Sequence, residues 1–220
     1  MERGPTHPAA GGHEETPADF VKRTTSSVLR AMAGRPDIAV SFAPGQAGVR
    51  GQQVRLPPPP RQPHQADIAK LRGAADAAGL RLRFHDEIAH QTLMPAGHDA
   101  KEIYNLLAQA RVEALGATLM KGVALNLDAS LEARYQAEGY AAKSERSQVP
   151  LAEAVRLILR EKLTGQEVPP SARQAVSTWR DFVEGRLTPH VGAMREHIAN
   201  QDAFARDVRD IIAALDIEPF

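Results

Sequence analysis

The sequence predicts a mainly α-helical fold, a multi-helix domain with a small β-hairpin near its N-terminus. Three observations carry that expectation. From Gln65 onward, apolar residues recur at helical spacing with little interruption. One short stretch, residues 38–56, changes to a two-residue period. Apolar residues make up 43% of the 220-residue chain, enough to close a core around such helices.

Residues 1–16 are polar and rich in Gly and Pro, and read as a disordered tail. The domain is expected over 17–220. Thr16 is placed to cap a helix that opens with Pro17, carries Asp19 near its positive end and stops at Gly34-Arg35-Pro36. Ile38, Val40 and Phe42 then alternate with polar or small residues as a half-buried strand does. Pro44 to Gly48 reads as a turn and Val49–Leu56 as the returning strand, giving a hairpin over 38–56. Pro57–Pro60 cannot continue a ladder, so 57–64 is a proline-rich connector.

Residues 65–220 are expected to be helical. A first stretch runs from Asp67 to about Met94, with a break expected near Gly79. A second, from about Asp99 to Glu138, carries apolar residues on two faces and should be central and largely buried. A third spans Leu151–Leu163. Ser171 with Gln174 suggests a capping box for a fourth, running to Gly185, and Thr188-Pro189 opens a last one with a break near Asn200. There is no internal repeat at a fixed period.

Charge and composition narrow the function classes. Lys plus Arg and Asp plus Glu are both 27, so the overall excess of positive charge that usually accompanies phosphate-backbone binding is missing, which argues against nucleic acid as partner. Cys is absent, which removes disulfides, thiolate metal sites and a cysteine nucleophile. No apolar run suits a secretory signal or a membrane span, so a cytoplasmic protein without membrane contact is expected. A homo-oligomer is left open.

Four groups of residues are candidates for chemistry. His85, Asp86 and His90, joined by Glu113 from the next helix, could hold a divalent ion and activate water in a hydrolase-like site. Against this, on a continuous helix His85 and His90 point about 140° apart, unlike the i, i+4 histidines of zinc peptidases. A structural role, with Asp86 pairing with His90 across one face, is the simpler reading. Arg111, Glu113 and Lys121 lie in an apolar helix, and at least Arg111 or Glu113 needs an opposite charge from a neighbour, sought in Arg81–His90. Asp128-Ala129-Ser130-Leu131-Glu132 approaches an Asp-x-Ser-x-Ser metal loop but ends in Glu and lies in a helical pattern, so it is not taken as a Mg²⁺ site. Arg50, Arg55 and Arg61 could hold an acidic partner or a carboxylate-bearing tetrapyrrole. The lone Trp179 is expected in the core. Phosphate-binding and dinucleotide glycine loops are missing, so ATP and NAD have no recognisable place.

Several strings, in order, carry a resemblance: Leu29 to Asp37 followed by Val40-Ser41-Phe42; Gly51 to Pro57; Leu80-Arg81-Leu82 with His85-Asp86 and His90; Gln109 to Ala117; and Met120 to Leu127. Together they resemble the N-terminal region of the T subunit family of the aerobic cobaltochelatase, over roughly 17–220. Members of that family continue into a C-terminal von Willebrand factor A domain with a Mg²⁺ site, missing from this sequence, so an excised N-terminal domain is expected. The resemblance implies a complex that uses ATP, Mg and cobalt. A large corrinoid-binding subunit inserts cobalt into hydrogenobyrinic acid a,c-diamide, while an AAA+ ATPase subunit and the T subunit form a chaperone-like motor. By the same resemblance this domain assembles subunits, is not itself catalytic and carries no cofactor. An adaptor in a related AAA+ and von Willebrand factor A pair serving another metalloenzyme is the alternative client.

Overall fold

A computed structural model describes residues 15–217. The expected tail thus falls, up to residue 14, outside the described residues, as do the last three positions. Helix α1 (Pro17–Ala33) begins where Thr16 accepts a hydrogen bond from the Asp19 amide (3.2 Å) and ends where Gly34 takes up a left-handed conformation at φ 66°. Its buried stripe, Val21, Thr25 and Leu29, faces the next long helix.

The two-residue period gives three strands rather than a simple hairpin. They are β1 (Ala39–Phe42), β2 (Gly48–Arg50) and β3 (Gln53–Leu56), in the order β1-β3-β2. The expected return strand folds on itself at Gly51, whose φ of 56° permits a tight turn, so the hairpin is β2 with β3. β1 lies parallel to β3 on its other side, with Val40 opposite Val54 and Phe42 opposite Leu56. That register puts the apolar side chains of both strands on one face. Val54 and Leu56 join Leu29, Ile38 and Leu71 in a small core.

Past Pro57–Pro60, helix α2 (Gln65–Phe84) begins with the His64 amide donating to Asp67 (3.1 Å). Gly79 does not break it: the glycine lets Met32 of α1 pack against the helix. The break comes at His85, and a short α3 (Glu87–Thr92) follows. The expected second helix is likewise two, α4 (His98–Leu119) and α5 (Lys121–Ala137), separated where Met120 turns extended. Gly73 brings α2 against the backbone of α5, and Gly116 receives Leu80.

Helix α6 (Leu151–Thr164) lies where expected. Ser171 does not cap a helix. It sits in a single 3₁₀ turn, and its amide and hydroxyl both donate to Glu132. Helices α7 (Arg173–Ser177) and α8 (Arg180–Glu196) follow; α8 continues past Gly185 and holds Pro189 in its interior, so Thr188-Pro189 does not open a new helix as expected. Asn200 caps α9 (Gln201–Ala214) by accepting from the Ala203 amide (3.1 Å), at the break expected there. The main core lies among α4, α6, α8 and α9, with Ile103, Leu107, Ile158, Met194 and Phe204 fully enclosed. Among the described residues, no helix is long and apolar enough to cross a membrane.

Candidate functional site

The turn between α2 and α3 holds the histidines. Because the helix ends before His85, the two imidazoles are not splayed around one axis, and their ring centroids lie 4.6 Å apart. Asp86 does not pair with His90. Its carboxylate caps α3, accepting from the amides of Ile88 (2.8 Å) and Ala89 (3.1 Å). Gln201 of α9 clamps the same residue, its side chain accepting from the Asp86 amide and donating to its carbonyl. His90 instead bonds Asn105 through Nε2 (2.8 Å) and stacks on Tyr104. A shallow cleft lined by His90, Tyr104, Arg111 and Phe204 opens beside this turn.

His85 is the anomaly. Its side chain is 2% exposed, its ring nitrogens have no hydrogen-bond partner, and the Glu87 carboxylate approaches Nε2 only to 3.4 Å, without hydrogen-bonding geometry. Burial, and then the positive charge of Arg81, push its pKa down from 6.5 to about 4; His90 and Arg111 add to the shift and Glu87 opposes it. His90 is also held below its ordinary value, by burial. The unfolded chain takes up a proton on His85 near the ordinary value and the folded chain only near 4. Folding stability is therefore fully present above that window and falls as pH drops through it. We expect His85→Gln to lose less stability than the wild type between about pH 7 and pH 4.5. Equal losses in urea melts at both pH values would contradict this.

The buried charges on α4 go elsewhere. Glu113 faces Arg156 of α6, not the Arg81–His90 stretch, at 3.2 and 3.4 Å to its two oxygens, and Gln109 donates to the same carboxylate (2.9 Å). Arg156 also lies 3.7 Å from Glu153, which accepts from Tyr135 Oη (2.6 Å) and from Arg134 of α5. Burial would raise the Glu153 pKa, but Arg156 and Arg134 hold it below the usual carboxylate range. Burial would lower the pKa of the Arg156 guanidinium, but Glu113, together with Tyr135 and Glu153, outweighs it and raises the pKa. Tyr140, against Tyr135, is pushed up to about 12, first by burial and then by Glu153. Arg111 has carbonyls instead of a carboxylate: it donates to Phe84 and, at 3.1 Å, to Ile198. Lys121 is exposed.

The four metal candidates are therefore not brought together. His85 and His90 meet, Asp86 is a cap, and Glu113 is tied to Arg156. Among the described residues, no three His, Asp or Glu side chains converge so as to hold a metal ion. Asp128 and Glu132 lie on α5 as read, and are engaged by Arg160 and by Ser171. Arg50 and Arg55 project from the sheet and Arg61 from the connector, all exposed. Trp179 is partly buried at the margin of the core, donates to the Val149 carbonyl (3.0 Å) and lies under Arg146. Sequence reading missed Glu153, Arg156 and Arg160. Their signal was the spacing of charges three and four apart inside a helix whose other residues are mostly apolar.

These features define a mainly α-helical domain whose buried charges tie α4, α5 and α6 together. Over residues 15–219 the chain matches the family model described as cobalamin biosynthesis protein CobT, and it belongs to that family. The resemblance read from the short strings thus extends across nearly the whole chain. No solved structure matches it.

Proposed function

We propose that this domain is a non-catalytic assembly module of the ATP-dependent aerobic cobaltochelatase, acting in the cytoplasm. It engages the AAA+ ATPase subunit while the large corrinoid-binding subunit inserts cobalt into hydrogenobyrinic acid a,c-diamide. ATP and Mg²⁺ are used elsewhere in the complex. Family membership supports the setting in cobalamin biosynthesis.

The interaction role rests on one surface observation. At the elbow between α4 and α5, Leu119 is 62% exposed, Leu125 is 70% exposed and Met120 lies open beside them. Gly122, between them, has open space where a side chain would stand. Single exposed apolar residues are ordinary, but three large ones close together in sequence at a helix break support a role for the elbow in contacting a partner. Burying such side chains in a partner contributes about 1.5–3 kcal/mol each. A pull-down of the ATPase subunit on the isolated domain tests the reading. The wild type should retain the subunit, and Leu119→Ser/Leu125→Ser should weaken retention by about tenfold or more while leaving the melting temperature unchanged. A wild-type domain that retains nothing removes the assembly role; a variant that binds as well as the wild type removes the elbow.

A further inference from the structure

The zero net charge conceals a strong separation along the chain. Residues 17–84, which form α1, the sheet, the connector and α2, carry eleven Lys and Arg against four Asp and Glu, a net +7. Residues 85–220 carry fifteen against twenty, a net −5. The balanced composition that argued against a polyanionic partner for the whole chain does not describe its N-terminal part.

The positive charge has a platform. In the register of the sheet, Val40, Val49, Val54 and Leu56 alternate inward, which turns Ser41, Arg50, Gln53 and Arg55 to solvent. Arg50 stands opposite Gln53, and Arg55 stands between Gly48 of β2 and Ser41 of β1. Gly48 has nothing near where its side chain would be, so the backbone beside Arg55 is open. The Arg55 guanidinium lies over Gly45 in the preceding turn. Arg61 follows on the stiff proline connector. Among the described residues, Arg50, Arg55 and Arg61 have no carboxylate at ion-pair distance, although most other arginines in the molecule are bonded to an acid or a carbonyl.

We propose that the outer face of this sheet, with Arg50, Arg55 and Arg61, binds an acidic polypeptide segment in extended form. The chemistry favours a peptide over a nucleic acid. Guanidinium forks take carboxylates in pairs, and the Gln53 amide can serve a peptide backbone. The outward positions of the sheet offer no aromatic ring for a base to stack on, and the −5 remainder of the molecule repels a long polyanion that extends past the face. The inference goes beyond the assembly reading and does not depend on which complex the domain serves.

The test is fluorescence anisotropy with a labelled peptide of glutamate and aspartate, in parallel with a single-stranded oligonucleotide of matched charge, at low and moderate salt. The peptide should bind more tightly than the oligonucleotide, more weakly as salt rises, and about tenfold or more weakly to Arg50→Glu/Arg55→Glu/Arg61→Glu. Arg50→Gln/Arg55→Gln/Arg61→Gln should show a smaller loss in the same direction, which covers the case of a reversal variant that folds poorly. Lys101→Glu/Arg206→Glu, on the acidic part, should bind like the wild type, and so should Leu119→Ser/Leu125→Ser, which separates this face from the elbow. Peptide binding that ignores both sheet variants, or is absent at low salt, overturns the inference. An oligonucleotide bound more tightly and lost on the same substitutions would make the face a nucleic-acid surface and overturn it equally.

Discussion

Glu113→Leu is expected to destabilise the domain by about 3–5 kcal/mol, a large share of the stability of any domain this size. The substitution puts an apolar side chain of similar bulk in its place, so a cavity is not the cause. It leaves Arg156, whose guanidinium is buried, with only the more distant Glu153, itself already shared with Arg134 and Tyr135. Gln109 loses an acceptor at the same time. Arg156→Met, which strands Glu113 instead, should cost a comparable amount. The double replacement should cost clearly less than the sum, because the penalty in each single variant is an uncompensated buried charge and the double variant has none at that pair. Urea unfolding of the three variants checks this. Single-variant losses below about 1 kcal/mol would mean that the pair is hydrated and does not hold α4 to α6.

Gly73→Ala is the second large effect, and its sign is decided by two opposing magnitudes. In a helix interior alanine is favoured over glycine by about 1 kcal/mol. At Gly73, however, the added Cβ would stand 2.0 Å from the Asn126 carbonyl oxygen and 2.5 Å from Ser130 Cβ, so α2 and α5 must move apart. A backbone oxygen cannot rotate away as a side chain can, and overpacking of this kind costs about 1–3 kcal/mol or more beyond the propensity gain. We expect a net loss of about 2 kcal/mol with a shift of the whole helix pair. Gly185→Ala on α8, where the surroundings are open, should instead stabilise by about 0.5–1 kcal/mol. Thermal melts of the two variants that move in the same direction would contradict this explanation.

The helices were legible because each has its own period, and several of their ends because Thr16, Gly34 and Asn200 act through bonds to nearby residues. Breaks imposed from a distance were not. The helix across His85 ends where Gln201, more than a hundred residues away, holds both backbone groups of Asp86. That break also changed the candidate site: two histidines that point apart on a helix become ring neighbours across a turn. The parallel pairing of β1 with β3 was hidden for a similar reason, since alternation fixes which face is buried but not which strand is the neighbour. Glu113 does find a basic partner, but Arg156 lies 43 residues away on α6 and not in the nearby Arg81–His90 stretch where it was sought. The family, in contrast, was readable from short strings because they recur in order, independent of how the chain folds.

The most direct test of the assembly role is competition in a reconstituted cobaltochelatase. Isolated domain is titrated into the complete complex while ATP-dependent cobalt insertion is followed. An assembly module that occupies the ATPase subunit without supporting turnover should lower the rate progressively to a saturating limit, and Leu119→Ser/Leu125→Ser should lower it far less at the same concentrations. A rate that stays unchanged at saturating wild-type domain would contradict the assembly role.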